Sequence, residues 1–156
     1  MKTFATALAL TLALAAPRLA EARQITLTTT LKRFGGYSAY VALYLTDPHG
    51  HYVRTLWMAG GRPWFYRHME GWMRASHGDM NGLDGITGAS VGEGRTLTVH
   101  ADIADALINA GYSIHVDAVS EGMMDSPAEV HMPLTTADSG KTVRGRAYVA
   151  SFDFKL

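Results

Sequence analysis

The sequence predicts a mainly β fold, and three observations support that prediction. Apolar and polar residues alternate at period two through most of the chain after residue 22, which is the pattern of strands with one buried face. Turn signals rich in Gly, Pro and Asp separate the alternating runs, as at 47–50 (Asp-Pro-His-Gly). The composition, with 47% hydrophobic and 18% charged residues, is typical of one globular domain. Together these features predict an immunoglobulin-like antiparallel β-sandwich with one short inserted helix.

The predicted strands cover residues 24–32, 37–46, 51–58, 95–100, 112–119, 129–134 and 146–156. In the first of them, Ile25, Leu27 and Leu31 share one face while threonines occupy the other. The second strand is apolar on both faces, so we expect both faces to be covered. The turn at 47–50 is expected to join the second and third strands as a hairpin.

Residues 63–77 do not follow the period-two alternation, because apolar side chains recur there at helical spacing. Pro63 is suited to open a helix and Gly78 to close it. The segment carries Trp64 and Trp72, and two placements are open: the helix caps one end of the sandwich, or it buries the sandwich edge.

Residues 1–22 form a separate block that predicts a secretory signal peptide. Lys2 supplies the positive start, an apolar run covers 4–16, and small residues stand on both sides of Glu21. We therefore expect cleavage after residue 22, a periplasmic location, and a single β-sandwich domain over residues 23–156. An uncleaved membrane anchor is the alternative, although the apolar run is short for a membrane span.

The sequence contains no cysteine and has a formal net charge of zero, and both facts narrow the possible functions. Without cysteine the chain has no disulfide partner, no cysteine-ligated zinc or iron–sulfur cluster and no attachment site for c-type haem. The balanced charge gives no basic face, so nucleic acid is not an expected partner.

The run Asp84-Gly85-Ile86-Thr87-Gly88-Ala89-Ser90 is the stretch whose residue types ask for a chemical explanation. It has an Asp, two variable positions, a hydroxyl residue, Gly, Ala and a final hydroxyl residue, and it resembles the attachment motif of proteins that carry covalent FMN. The resemblance implies that a flavin transferase moves FMN from FAD onto Ser90, with Asp84, Thr87, Gly88 and Ala89 as the other motif residues. Such motifs commonly end in Thr, where this chain has Ser90. An ordinary surface loop is the alternative, because Asp-Gly and Thr-Gly are common turn dipeptides.

The proposed chemistry explains the residue types. A serine hydroxyl is a weak nucleophile near neutral pH, so the transferase must supply a base, and a metal ion to stabilise charge on the diphosphate. The acceptor has to be exposed and slim, and the two residues before Ser90 add little bulk. Asp84 either orients the segment or shares the transferase's metal. Arg74 and Arg95 are candidates to offset the phosphate charge, and rings of the 63–77 helix are candidates to cover the flavin.

Further segments extend the resemblance beyond the motif. They are 40–44 (Tyr-Val-Ala-Leu-Tyr) followed by Asp47, 53–56 (Val-Arg-Thr-Leu), 95–97 (Arg-Thr-Leu) and the strand at Tyr112. With the aromatic-rich helix and the motif, they are similar to domain of unknown function 2271, a family of predicted periplasmic proteins. The resemblance implies a secreted β-sandwich that is encoded with flavin transferases and with membrane flavoproteins of the PepSY type. It therefore implies electron transfer outside the cytoplasm, with a flavin transferase and a PepSY-type membrane flavoprotein reductase as partners.

Copper binding is an alternative of a different class. Met69, Met73 and His77 are spaced by four residues, so on a continuous helix they would form one stripe of soft ligands. Methionines at this spacing are also common core residues. In this alternative the chain is a non-catalytic periplasmic binding or structural module.

Stand-alone catalysis has the least support in the sequence. It contains no nucleophile-elbow pattern and no phosphate-binding glycine loop that opens a helix after a strand. His100 and His115 are expected on outward, solvated faces of their strands. The sequence therefore predicts a redox carrier or an accessory protein rather than an enzyme.

Overall fold

The computed structural model describes residues 21–156 and confirms a mainly β fold of two sheets. The signal peptide predicted at 1–22 lies, apart from its last two residues, outside the described part. All seven predicted strands are present, and β4, a two-residue strand inside the motif, adds to them. The strands are β1 Ala22–Leu31, β2 Ala39–Thr46, β3 Tyr52–Ala59, β4 Thr87–Gly88, β5 Thr96–Ala104, β6 Ser113–Ser120, β7 Ser126–Pro133 and β8 Val149–Lys155.

The two sheets have three and five strands. The smaller sheet has the order β5-β1-β8, and the larger has the order β4-β3-β2-β6-β7. Most strand pairs are antiparallel, as predicted, but β4 pairs with β3 in parallel. This short parallel pair is a departure from an all-antiparallel sandwich, and it places the motif at one edge of the larger sheet.

The main core lies between the sheets. Burial alternates along β1, where Ile25, Leu27 and Leu31 are buried, as the period-two pattern predicts. Phe152 and Phe154 of β8 contribute fully buried rings to the same cluster. Because about 130 residues fold here without a disulfide, this apolar cluster has to supply most of the stability.

A second core covers the outer face of the larger sheet. A 3-10 helix (Pro63–His68) and helix α1 (Glu70–Ser76) lie over β2, whose Tyr40 and Tyr44 face outward. The strand is therefore buried on both faces, as expected. The helical segment differs from the prediction in two ways: it breaks at Met69, and it packs on the face of the sheet rather than at an end or an edge. The outward tyrosines explain this placement, because they need an apolar cover.

Two buried carboxylates link segments that are distant in the sequence. Asp117 accepts the backbone N–H of Trp72 at 2.5 Å and that of Ala128 at 2.9 Å, which links α1 to β7. Glu129 accepts three backbone N–H groups from residues 147–149. Burial alone would raise the pKa of Glu129, but hydrogen bonds from Ser126 and from these backbone groups outweigh burial and lower the pKa.

Candidate functional site

The motif loop, defined as residues 84–90, lies at the β4 edge of the larger sheet. Its β4 part, Thr87–Gly88, is fixed by the sheet, because the N–H of Gly60 donates to the carbonyl of Gly88 at 2.7 Å. Asp84 and Thr87 are exposed. The Asp84 carboxylate accepts no hydrogen bond from residues 21–156, so it is available to an incoming partner.

Ser90 lies just beyond this anchor and before a second one. Val91 exchanges two backbone hydrogen bonds of 2.8 Å with Ala39, at the start of β2. Ala89 is exposed and Ser90 is half-buried. The Ser90 hydroxyl makes no hydrogen bond within the described part of the chain. The acceptor predicted from the sequence is therefore an uncommitted hydroxyl on a short segment with both ends fixed.

The structure gives Gly88 a packing role. A Cβ atom at Gly88 would lie 2.8 Å from Cζ2 of Trp57, which is closer than non-bonded carbon atoms approach. The indole of Trp57 lies across the loop at this point. Only glycine lets β4 come this close to β3, whether or not a transferase binds the loop.

Ser90 opens onto a pocket of about 580 Å³, here called the Ser90 pocket. Nη1 of Arg62 donates to Glu121, at 3.1 Å to Oε1 and 3.4 Å to Oε2. The hydroxyl of Tyr40 also donates to Oε1 of Glu121, at 3.3 Å. Burial and the Glu121 charge raise the pKa of Tyr40, so its hydroxyl keeps its proton. The lining residues are Tyr37, Ser38, Tyr40, Gly61, Arg62, Ser90 and Glu121.

A second pocket, the Met80 pocket, lies on the other side of the loop. It has a volume of about 480 Å³ and shares Gly61 with the Ser90 pocket. Tyr66 of the 3-10 helix lines it, but this ring is buried and its hydroxyl donates to the carbonyl of Gly60 at 2.7 Å. The other lining residues are Gly60, Pro63, Met80, Leu83, Asp84, Gly85, Thr87, Gly88 and Ala89.

Comparison of the sequence with models of protein families identifies the family of this chain. The model described as "Predicted periplasmic protein (DUF2271)" matches residues 22–151. The chain belongs to this family. The match spans nearly all of the part that the structure describes, and it includes the motif loop and both pockets. The DUF2271 description also agrees with the predicted periplasmic location. Comparisons with curated proteins and with solved structures gave no significant match.

No helix in the described part of this DUF2271 chain is long and apolar enough to cross a membrane. The segment predicted as a signal peptide lies outside that part.

Arg62, the arginine that lines the Ser90 pocket, was not among the arginines that the sequence suggested for the phosphate. Arg74 lies on α1 and lines a different pocket, and Arg95 is exposed in the turn before β5. Arg62 follows β3 in an irregular turn, and no local pattern marks it. Only the pairing of β3 with β4 brings the turn that carries Arg62 to Ser90.

The predicted copper ligands lie in three different environments in this DUF2271 protein. Met69 is buried in the second core, and Met73 is half-buried on α1. His77 is exposed and has a left-handed backbone (φ 54°), because α1 ends at Ser76. Residues 21–156 contain no cluster of three or more His, Asp or Glu side chains placed to hold a metal ion. Copper ligation by the Met/His set stays a prediction.

His115 corrects the expectation of a solvated histidine. Its ring is half-buried and stacked between Tyr44 (5.0 Å between centroids) and His131 (4.7 Å). Nε2 of His115 lies 2.9 Å from the hydroxyl of Thr46. Burial, and then the neighbouring His131, lower the pKa of His115 to about 4. The outward direction of the side chain was predicted correctly, but the stacking on Tyr44 and His131 from the neighbouring strands was not taken into account. His100 is exposed, as expected.

Proposed function

We propose that this DUF2271 protein is a periplasmic carrier of FMN, bound covalently through Ser90. The observation that supports the proposal best is the state of the Ser90 hydroxyl, which is unpaired, reachable from solvent and set beside a pocket. Backbone hydrogen bonds on both sides of Ser90 hold this hydroxyl in a defined position. The motif resemblance and the family description give the context for this reading.

The residues around Ser90 suit a flavin phosphodiester. A volume of about 580 Å³ lies in the range of small-molecule sites. Arg62 supplies guanidinium N–H groups for a phosphate, and the exposed ring of Tyr37 supplies apolar surface for a flat ring system. Asp84 and Thr87 are exposed on the same loop, where a transferase can reach them.

Attachment is a phosphoryl-group transfer without a change in oxidation state. The Oγ of Ser90 attacks the FMN-side phosphorus of FAD, a new P–O bond forms, and the bond to the AMP phosphate breaks. AMP leaves, and the serine proton passes to a base of the transferase, whose metal ion stabilises the diphosphate charge. The substrate chain supplies only the nucleophile and its position.

Bound FMN would supply one- or two-electron chemistry, and the chain would fix its position and exposure. Electrons would come from a membrane flavoprotein reductase of the PepSY type. In this proposal the protein is a redox carrier, and turnover takes place on its partners.

The intact mass of the protein, produced in a periplasm with an active flavin transferase, tests the proposal. We expect an added mass of roughly 440 Da, corresponding to one FMN moiety, together with yellow absorbance. Ser90→Ala should abolish both signals. Ser38→Ala is the matched control, because Ser38 lines the same pocket and should leave loading unchanged. An unmodified wild-type mass, beside a known substrate that the same transferase loads, would overturn the proposal.

A further inference from the structure

The Ser90 pocket allows the bound flavin to be placed. We propose that the phosphate carried on Ser90 lies against the guanidinium of Arg62, and that the isoalloxazine ring packs on Tyr37. This inference rests on the proposed function and adds two residues that the motif does not contain.

Covalent attachment decides which pocket holds the phosphate. The phosphorus of a phosphodiester on Ser90 is bonded directly to Oγ, so the phosphate has to lie beside Ser90. Ser90 lines the Ser90 pocket but not the Met80 pocket. Arg62 is the cationic side chain among the residues that line the Ser90 pocket. Arg62 is therefore the basic group within this pocket that can meet the phosphate charge.

Arg62 has donors to spare for this contact. A guanidinium carries five N–H groups, and here only Nη1 donates, with Glu121 as its acceptor. Nε and Nη2 donate to no acceptor within residues 21–156. Because Glu121 is itself held by the hydroxyl of Tyr40, it fixes one side of the guanidinium and leaves the other side open. Arg62 is thus placed to donate to a phosphate without giving up its existing ion pair.

Tyr37 has the ring that is free to cover a flavin. It is 73% exposed, which is unusual for a large aromatic side chain, and it lies on the rim of the Ser90 pocket. Its backbone is fixed, because the hydroxyl of Ser120 donates to the Tyr37 carbonyl at 2.7 Å. Tyr66 in the Met80 pocket is buried and already packed. Offset stacking on a flat ring would cover the exposed face of Tyr37.

The test uses protein loaded by the transferase, with three readouts on the loaded fraction: intact mass, flavin fluorescence and the phosphorus NMR signal. Tyr37→Ala should raise the fluorescence severalfold, because an electron-rich phenol in contact with a flavin quenches its emission. Arg62→Gln should shift the phosphodiester resonance. Both side chains are exposed, so the variants should unfold at the wild-type urea concentration.

Two control variants make the test specific. Arg67→Gln removes an exposed arginine outside the Ser90 pocket and should leave the phosphorus signal unchanged. Met80→Ala alters the Met80 pocket and should leave the fluorescence unchanged. If Met80→Ala raises the fluorescence and Tyr37→Ala does not, the ring lies in the Met80 pocket and the inference is wrong.

The remaining outcomes separate this inference from the proposed function. Loaded protein in which neither Tyr37→Ala nor Arg62→Gln changes its signal overturns the inference and leaves the FMN carrier intact. A wild-type chain that carries no added mass overturns both.

Discussion

Asp117→Asn is expected to destabilise the protein, because Asp117 is fully buried and ties α1 to β7. Oδ2 accepts the N–H of Trp72 at 2.5 Å, and Oδ1 accepts the N–H of Ala128 at 2.9 Å. The hydroxyl of Tyr44 adds a longer contact of 3.5 Å to Oδ1. Since both oxygens face backbone donors, an amide at this position must turn its own NH₂ group toward one of them.

The size of the loss follows from three contributions. A hydrogen bond to a charged group contributes about 1.5–3 kcal/mol, and a buried unpaired N–H costs about 1–3 kcal/mol. In the Asn variant one of the two hydrogen bonds is lost, and one backbone N–H is left buried and unpaired. It also relieves the burial of a charge, which is the largest influence on this carboxyl and raises the pKa of Asp117. We expect a net loss of about 2–3 kcal/mol in the free energy of unfolding.

Urea unfolding at pH 7 measures this loss, with wild-type and variant compared at equal m-value. Asp102→Asn is the matched control, since Asp102 is exposed on β5, and it should change the free energy of unfolding by less than about 0.5 kcal/mol. If the two variants unfold at the same urea concentration, the hydrogen bonds of Asp117 contribute no stability and the reasoning is refuted.

Two further predictions concern the loop and the stacked histidine. Gly88→Ala should cost about 1–3 kcal/mol of unfolding free energy, because the new methyl group meets the Trp57 ring, whereas Gly61→Ala enters open space and should unfold like the wild type. Lowering the pH from 6.5 toward 4 should destabilise the wild type more than His115→Gln. The unfolded chain takes a proton near the ordinary pKa of 6.5, while the folded pKa of His115 is about 4, so stability is lost across that interval. Urea midpoints across the pH range measure the effect, and parallel curves for the two proteins would contradict it.

The strands could be predicted from the sequence because their burial pattern is local. In β1 the alternation of Ile25 and Leu27 with threonines maps directly onto inward and outward faces. The apolar residues on both faces of β2 also predicted that both faces of this strand are buried. The cover itself could not be placed, because α1 is held by Asp117, a residue far along the chain that accepts the N–H of Trp72 near the start of α1.

The candidate site was predictable only where residue types alone carry the information. The motif marked Ser90, because an Asp, small residues and hydroxyls at this spacing are unusual. Arg62 and Tyr37 belong to irregular segments beside β3 and β2, and only sheet pairing brings them to one pocket. His115 was misjudged for the same reason, since its environment is formed by Tyr44 and His131 from neighbouring strands.

The motif residues divide by what the fold needs from them. Gly88 is explained by packing, because Trp57 leaves no room for a side chain there. Ser90 and Asp84 make no side-chain hydrogen bond within residues 21–156, so their polar groups add nothing to the stability that the structure accounts for. Binding and catalytic residues are found disproportionately on loops that a rigid scaffold positions, and this loop is held by backbone hydrogen bonds at both ends. The contrast between Gly88 and Ser90 agrees with the proposed role of Ser90, and Ser90→Ala should leave stability unchanged while it removes the proposed attachment point.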